Sequence, residues 1–280
     1  MEDQFRYDGK RALVVGCFSG MGAATAKILA HLGAEVHGVD FREPDYELAG
    51  FTKCDLRNKK EVDGLIAGLE DPVDRLFYCA GLPQTHPPLD VMTVNFAAMR
   101  TVVEGVGSKL PKGGAVVIIS SNAGLQFMEH MAPINELLAT DGFDGARSWC
   151  EEHPDVVADG YAFSKEAIIV YTMKRALEVV GDGVRVNCIS PGPTATPMMP
   201  EFEKAASPEL VRAFVGPMNR QAQPEEMAWP LAFLNSDAAS FITGFNLIVD
   251  AGFVAGVMTG AVDVNALFEA GMQEMAARQQ

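Results

Sequence analysis

Short apolar runs alternate with helical stretches along almost the whole chain, and this alternation restricts the fold more than any other feature. Residues 11–15 form an apolar run, followed by glycines and then by residues 23–32, whose small and apolar side chains suit a helix packed on a sheet. Residues 35–39 read as a second strand ending at Asp40 and residues 51–54 as a third ending at Asp55, while 58–69 carry helical periodicity. Residues 74–79 and 115–120 are two further strands, on either side of a helix spanning roughly 91–110 that contains Asn95. Residues 161–180 read as a long helix, 185–190 as a sixth strand and 246–249 as a seventh. Strands separated by helices cannot close as hairpins, so they are expected to lie parallel, with right-handed crossovers that place helices on both faces. The expected fold class is α/β, with a doubly wound sheet.

Two segments interrupt the alternation. Residues 124–160 contain Pro133, Pro154 and scattered charges, and residues 191–224 are rich in proline and methionine. Doubly wound sheets bind ligands outside the carboxyl ends of their strands, and both segments follow strand ends. Each is placed either to line a pocket or to act as surface decoration or an oligomer contact, and 191–224 is read as a substrate lid. No repeat or low-complexity linker divides the chain, so a single domain over 1–280 is expected.

Composition narrows the partners. The 37 acidic against 22 basic residues give a net charge of −15, and no basic run offers a footing for nucleic acid or anionic lipid. Cys17, Cys54, Cys79, Cys150 and Cys188 form no C-x-x-C pair, and the histidines lack the short spacing that puts two ligands on one helix face. No metal site is expected, and the cysteines suit a reducing compartment. Residues 1–10 are polar and acidic, and no stretch reaches roughly 18 uninterrupted apolar residues, so neither a signal peptide nor a membrane span is expected and the cytoplasm is the expected location.

Gly16, Gly20 and Gly22 fall in the stretch GCFSGMG, between the first strand and the first helix. Glycine permits a turn that other residues would strain, lets the backbone approach a pyrophosphate, and leaves the first amides of the helix to bind negative charge. Asp40, about 20 residues further on, can accept hydrogen bonds from the adenine-ribose hydroxyls. Its charge favours NAD over NADP, partly offset by Arg42; the other reading is a strand-end cap. Asp55 has a similar choice between the adenine ring and a turn.

Tyr161 and Lys165 are spaced i, i+4 on an expected helix and so share one face. A neighbouring ammonium favours phenolate and is expected to move the tyrosine down from its ordinary pKa of about 10 towards a useful general acid/base. The fifth strand ends in VVIISS, which puts Ser121 at the carboxyl edge as the candidate for holding a substrate oxygen, while Ser120 reads as a helix cap or loop hydroxyl.

These residues together resemble the short-chain dehydrogenase/reductase family: GCFSGMG at 16–22, Asp40, CDL at 54–56, CAG at 79–81, Asn95, Ser121, YAFSK at 161–165 and PGPTATP at 191–197. The resemblance implies a Rossmann-type fold with a seven-stranded parallel sheet, a bound nicotinamide dinucleotide, and a catalytic set of Asn95, Ser121, Tyr161 and Lys165. Tyr161 would exchange a proton with the substrate oxygen while hydride passes between the substrate carbon and the nicotinamide. Ser121 would position the oxygen, Lys165 would also bind the nicotinamide ribose, and Asn95 would hold a water in the proton relay. Cofactor contacts are implied for Gly16, Ser19, Gly20, Met21, Gly22, Asp40, Arg42, Asp55, Leu56, Cys79, Ala80, Gly81, Tyr161, Lys165, Pro191, Gly192, Thr194 and Thr196, the last bonding the carboxamide. Val15 stands where many members have threonine and Cys79 where most have asparagine, departures that bear on hydrogen bonding between strands. Cys79 reads as a small buried residue and not a nucleophile.

A closer likeness is to bacterial 3α-hydroxysteroid dehydrogenase/carbonyl reductases, through the GC start of the glycine turn, V-D-x-R after the second strand, CAGL, and a long insertion before the catalytic tyrosine. Here 40 positions separate Ser121 from Tyr161. The insertion is expected to reshape the helix-helix oligomer interface of the family, in a homodimer or homotetramer. Met198, Met199, Phe202, Phe214 and Met218 offer adaptable apolar surface, which suits reversible NAD-linked oxidation of a secondary alcohol to a ketone on an apolar, cyclic or steroid-like substrate. Rival readings are a terpenoid or aromatic carbonyl substrate, and a dinucleotide-sensing protein without turnover, against which the intact catalytic set argues. The tail over 254–280 has no assigned role.

Overall fold

Strands β1 (Arg11–Val15), β2 (Glu35–Asp40), β3 (Gly50–Lys53), β4 (Arg75–Tyr78), β5 (Ala115–Ile119), β6 (Arg185–Pro191) and β7 (Asn246–Val249) form one sheet. Its order is β3-β2-β1-β4-β5-β6-β7, and every neighbouring pair is parallel. The computed structural model describes residues 3–69, 72–205, 208–263, 266, 267 and 269; residues 206–207 of the expected lid and most of the expected tail beyond 263 lie outside them.

The strands read as unbroken apolar runs because both faces of the sheet are covered. Leu13, Val15, Leu76, Tyr78, Val116 and Ile118 enter the core on one face. The residues between them, Val14, Phe77 and Val117, enter the core on the other, as the two-residue period of a strand requires. Helices α1 (Gly20–His31) and α2 (Lys59–Ala67) lie on opposite faces, with Ala26 and Leu29 in one core and Val62 and Leu65 in the other. The chain runs from β1 to β2 and β3 on one side and resumes with β4 on the other. Strand order therefore reverses between β1 and β4, which opens a crevice at their carboxyl ends.

The helix expected over 91–110 begins earlier and is not uniform. It comprises α3 (Pro88–Met92), a π-helical turn (Thr93–Ala98) and α4 (Met99–Gly107). Pro88 sits in the first turn, where its missing N–H costs nothing, and the wide turn carries Asn95.

The 124–160 segment is far more regular than its prolines suggest. It contains α5 (Met131–Leu138), α6 (Gly142–Glu152) and α7 (Pro154–Val157). Pro133 and Pro154 both lie in first turns, where backbone amides have no intrahelical acceptor, so they start helices instead of breaking them. The segment buries Ile134, Leu137, Phe143 and Trp149 against the core that also holds Phe96, Val103 and Phe163. Buried Arg100 of α4 fastens it by donating to the carbonyl of Gly142 and, at 3.3 Å, to Thr140 Oγ1.

Helix α8 (Tyr161–Val179) follows directly, and its buried Glu166 pairs with His130 Nδ1 at 2.7 Å, tying the insertion to it. After β6 come the two short helices of the expected lid, α9 (Met199–Ala205) and α10 (Pro208–Ala213), then α11 (Pro224–Asn235) and, beyond β7, α12 (Phe253–Met258). A bridge between Thr194 and Ala222 closes the neck of the lid. No helix among the described residues is long and apolar enough to cross a membrane.

Candidate active site

The glycine turn packs as tightly as its composition demands. Gly16 has φ +88°, and a Cβ there would stand 2.5 Å from the backbone nitrogen of Ala80. A Cβ on Gly22 would stand 1.9 Å from the carbonyl oxygen of Gly16, so the start of α1 lies directly against the end of β1. Ser19 holds the N-cap position without a side-chain hydrogen bond, and the first turn of α1 has no acidic residue, so its amides remain open to an anion. Met21 faces the chamber described below.

Asp40 closes β2 beside this turn. Its carboxylate accepts from the backbone amides of Phe18 at 3.0 Å and Arg42 at 3.3 Å. The Arg42 guanidinium stacks 4.3 Å from the centre of the Phe18 ring and 4.7 Å from that of Phe41. With Phe51 and Lys53 these side chains rim a shallow recess beside the end of β2. Asp55 does not line that recess. Its carboxylate accepts from the Arg57 guanidinium at 2.7 and 3.0 Å, which holds its pKa below the ordinary value, and this ion pair favours the turn reading over the adenine-facing one. Leu56 is buried behind it.

The four expected catalytic residues converge at the ends of β4 and β5 and the start of α8. Gly160, with φ +79°, lets the chain enter α8 where a Cβ would stand 2.6 Å from the Pro88 carbonyl, and Asp159 accepts from the Tyr161 amide at 2.9 Å. Lys165 is buried and its Nζ donates to the Ile119 carbonyl at 3.1 Å, 5.6 Å from the centre of the Tyr161 ring. Burial pushes the Lys165 pKa down to about 8. Ser121 Oγ accepts from the Ala123 amide at 3.1 Å and donates to Asn122 Oδ1 at 3.3 Å. Ser120 donates to the Lys165 carbonyl at 2.7 Å, a structural tie rather than the cap or loop role expected of it.

One expectation changes at this point. Burial pushes the Tyr161 phenol up to about 12; Ser121 pulls it back and Asp159 adds to the rise. The i, i+4 ammonium does not lower it, because enclosure outweighs a charge 5.6 Å from the ring. Asn95, buried in the π turn, has its whole amide engaged: Oδ1 accepts from Leu82 N at 2.7 Å, and Nδ2 donates to Leu82 O and Ser164 Oγ, each at 3.1 Å. Its side chain therefore anchors the loop after β4.

Cys79 donates its backbone amide to the Val15 carbonyl at 2.8 Å, and burial pushes its thiol up to about 12, far from a reactive thiolate. Gly81 lies between Asn95 and Lys165, 3.3 and 3.6 Å from where its Cβ would stand. Pro191 ends β6, and Gly192, Thr194 and Thr196 follow it along the same wall, Thr194 Oγ1 donating to the Gly192 carbonyl at 3.0 Å. Thr196 also packs beside Gly20, its side chain 3.2 Å from where a Cβ would stand.

These elements enclose a chamber of about 610 Å³. Phe202 of α9 lies edge-on to Tyr161, ring centres 5.0 Å apart, and Phe214 packs on Phe253 at 5.1 Å. Met198 and Met199 line the wall, whereas Met218 lies outside this chamber. Both ends of the insertion contribute, through Leu125 and Asp159. Reading the sequence did not identify Gln84 on the loop after β4, Asn122 beside Ser121, or Val254 and Val257 of α12 as lining residues. The rule that ligands sit at carboxyl strand ends pointed to the first two; nothing local marked α12.

The residues fit a nicotinamide dinucleotide: uncapped amides at the start of α1, a carboxylate at the end of β2 and the Gly81–Lys165 wall lie along one crevice. Among the described residues no cluster of histidine, cysteine and carboxylate side chains is arranged to hold a metal ion.

Comparison with known proteins agrees with this geometry. The family described as short chain dehydrogenase matches residues 10–133, and the one described as enoyl-(acyl carrier protein) reductase matches residues 153–254. A coniferyl-alcohol dehydrogenase of Pseudomonas sp. (strain HR199 / DSM 7063) is 34% identical over 247 residues, covering 88% of this chain and 97% of the relative. A 3-alpha-hydroxysteroid dehydrogenase/carbonyl reductase of Comamonas testosteroni is 34% identical over 248 residues, covering 87% and 96%. The crystal structure of the 3-alpha-hydroxysteroid dehydrogenase from Pseudomonas sp. B-0831 complexed with NADH superposes with a TM-score of 0.76 at 29% identity, covering 89% of this chain and 98% of that one. A chain from Beutenbergia cavernae solved with NADP superposes with a TM-score of 0.73 at 27% identity, covering 90% and 100%.

Proposed function

We propose that this chain, which belongs to the short-chain dehydrogenase/reductase family, catalyses the reversible NAD-linked oxidation of a secondary alcohol to a ketone on an apolar, cyclic or steroid-like substrate. The observation that carries this reading is the Tyr161 phenol, enclosed at the wall of an apolar chamber beside Ser121, with Lys165 one helical turn away.

A carbonyl oxygen seated between the Ser121 and Tyr161 hydroxyls accepts a hydrogen bond from Tyr161, and from Ser121 once its single proton turns from Asn122 Oδ1 to the substrate. Tyr161 passes its proton to that oxygen as the ketone becomes alcohol, and takes it back in oxidation. A phenol held near 12 stays protonated, which serves reduction; oxidation needs the phenolate and gains as pH rises. Bound NAD supplies the hydride acceptor for the alcohol carbon, and its reduced form the donor. Lys165 brings an ammonium to the oxygen side of the site, and Asn95 holds the loop that carries Gly81 and Leu82.

Asp40 supports NAD as the cofactor, since a carboxylate at the end of β2 repels a ribose phosphate; Gly192, Thr194 and Thr196 are assigned to the nicotinamide side. The 34% identity to a coniferyl-alcohol dehydrogenase favours a second reading, in which the ring of the substrate is aromatic. Exposed Trp229, Phe241 and Phe245 support self-association as a homodimer or homotetramer. The test is steady-state oxidation of a panel of secondary alcohols with NAD and NADP in parallel. Turnover of cyclic or aryl alcohols with a preference for NAD is expected, and no turnover with either cofactor would overturn the reading.

A further inference from the structure

Gln84 Oε1 and Asn122 Nδ2 are withdrawn from solvent and have no hydrogen-bond partner among the described residues, and both side chains line the chamber. The remaining buried side-chain atoms without partners lie outside it. Buried amide groups are ordinarily paired, and an isolated one is costly, so two such groups on the wall of one chamber call for a partner that arrives with the ligand.

The two residues stand on neighbouring loops. Gln84 lies between two anchored residues of the loop after β4: Leu82 exchanges hydrogen bonds with Asn95, and Thr85 Oγ1 donates to Glu201 of α9. Before substrate binds, Ser121 Oγ donates to Asn122 Oδ1 at 3.3 Å, and Asn122 Nδ2 is left as an unengaged donor at the chamber wall. β4 and β5 are parallel neighbours, so both loops leave from the same rim.

We infer that the chamber recognises a second oxygen on its substrate: Gln84 accepts from, and Asn122 donates to, a hydroxyl group carried on the ring of the alcohol, away from the reacting carbon. A hydroxyl satisfies both, giving its proton to Gln84 Oε1 and accepting from Asn122 Nδ2 through a lone pair. A site built to pair with a hydroxyl discriminates against the analogue lacking it, because the protein groups are then left unpaired. The inference names the substrate class of the proposed reaction and rests on that reading.

The experiment uses the full chain with NAD and compares 1-phenylethanol with its ring-hydroxylated 3- and 4-hydroxyphenyl analogues. In the wild type, kcat/KM for the better hydroxylated isomer is expected to exceed that for 1-phenylethanol by about tenfold or more. In Gln84→Leu the ratio should fall to within about twofold, and in Gln84→Glu, which keeps the acceptor, it should persist. Because the ratio is taken within each variant, partial loss of folded protein does not alter it. A wild-type ratio near one, or a ratio unchanged by Gln84→Leu, overturns the inference while leaving the alcohol dehydrogenase reading intact. No turnover of any of these alcohols or of cyclohexanol removes both.

Discussion

Replacing Gly22 with alanine drives a methyl group into the closest approach in the glycine turn. The new Cβ would lie 1.9 Å from the Gly16 carbonyl oxygen, about 1.5 Å short of the 3.4 Å at which ordinary contact begins, and its second neighbour, the Gly16 carbonyl carbon, stands at 2.8 Å. Both are backbone atoms, and Gly16 cannot retreat because its own Cβ position is already 2.5 Å from Ala80 N. The start of α1 must therefore move away by an ångström or more. Overpacking of this kind costs about 1–3 kcal/mol, a fall in Tm of roughly 2–10 °C for a chain of this size. Cofactor binding is affected as well, since the displaced groups are the amides assigned to the pyrophosphate, and NAD affinity is expected to fall. Calorimetric titration with NAD and a thermal melt of the same preparation test both consequences. NAD affinity within twofold of wild type, with an unchanged melt, would refute the steric reasoning.

Three further outcomes are expected. The Lys165 ammonium, with its pKa pushed down to about 8, loses its charge as pH rises through that value, so kcat/KM for ketone reduction should fall above about pH 8; Lys165→Arg should abolish that break, and a flat wild-type profile up to about pH 10 would count against it. Phe202→Ala uncovers the Tyr161 ring, so a pH titration of oxidation should show the phenol moving back from about 12 towards its ordinary value, with KM for apolar alcohols raised about tenfold; an unmoved titration removes Phe202 from the enclosure. Asp40→Ala should erode the preference for NAD: a carboxylate and a phosphate charge about 5 Å apart repel by about 3 kcal/mol at an effective dielectric of about 20, which is roughly a hundredfold. An unchanged NAD to NADP ratio would assign Asp40 to capping the Phe18 and Arg42 amides alone.

What could be read in the sequence follows the range of the forces involved. The strands were visible because a sheet covered on both faces writes continuous apolar runs, as in residues 115–119, and their limits differ by about a residue where an edge strand such as GFTK is half exposed. Pro133 and Pro154 obscured α5 and α7 because a proline marks a break or a first turn according to context that comes from packing. The π turn around Asn95 differs from an α-helix only in hydrogen-bond register, which leaves no periodic trace. The acid/base pair was legible from spacing, but the direction of its pKa shift was not, since the enclosure that raises Tyr161 includes Phe202, distant in the chain. Gln84 and α12 reach the chamber only through the topology that gathers the rim.

The most direct test of the proposed reaction is single-turnover reduction of a ketone by wild type and Tyr161→Phe, each confirmed folded by its thermal melt and preloaded with NADH. Positioned general acids contribute about 10²–10⁴-fold, so a loss of that size in the rate of NADH oxidation is expected when the phenol hydroxyl is removed. A Tyr161→Phe rate within a few-fold of wild type would contradict the assignment of proton transfer to Tyr161.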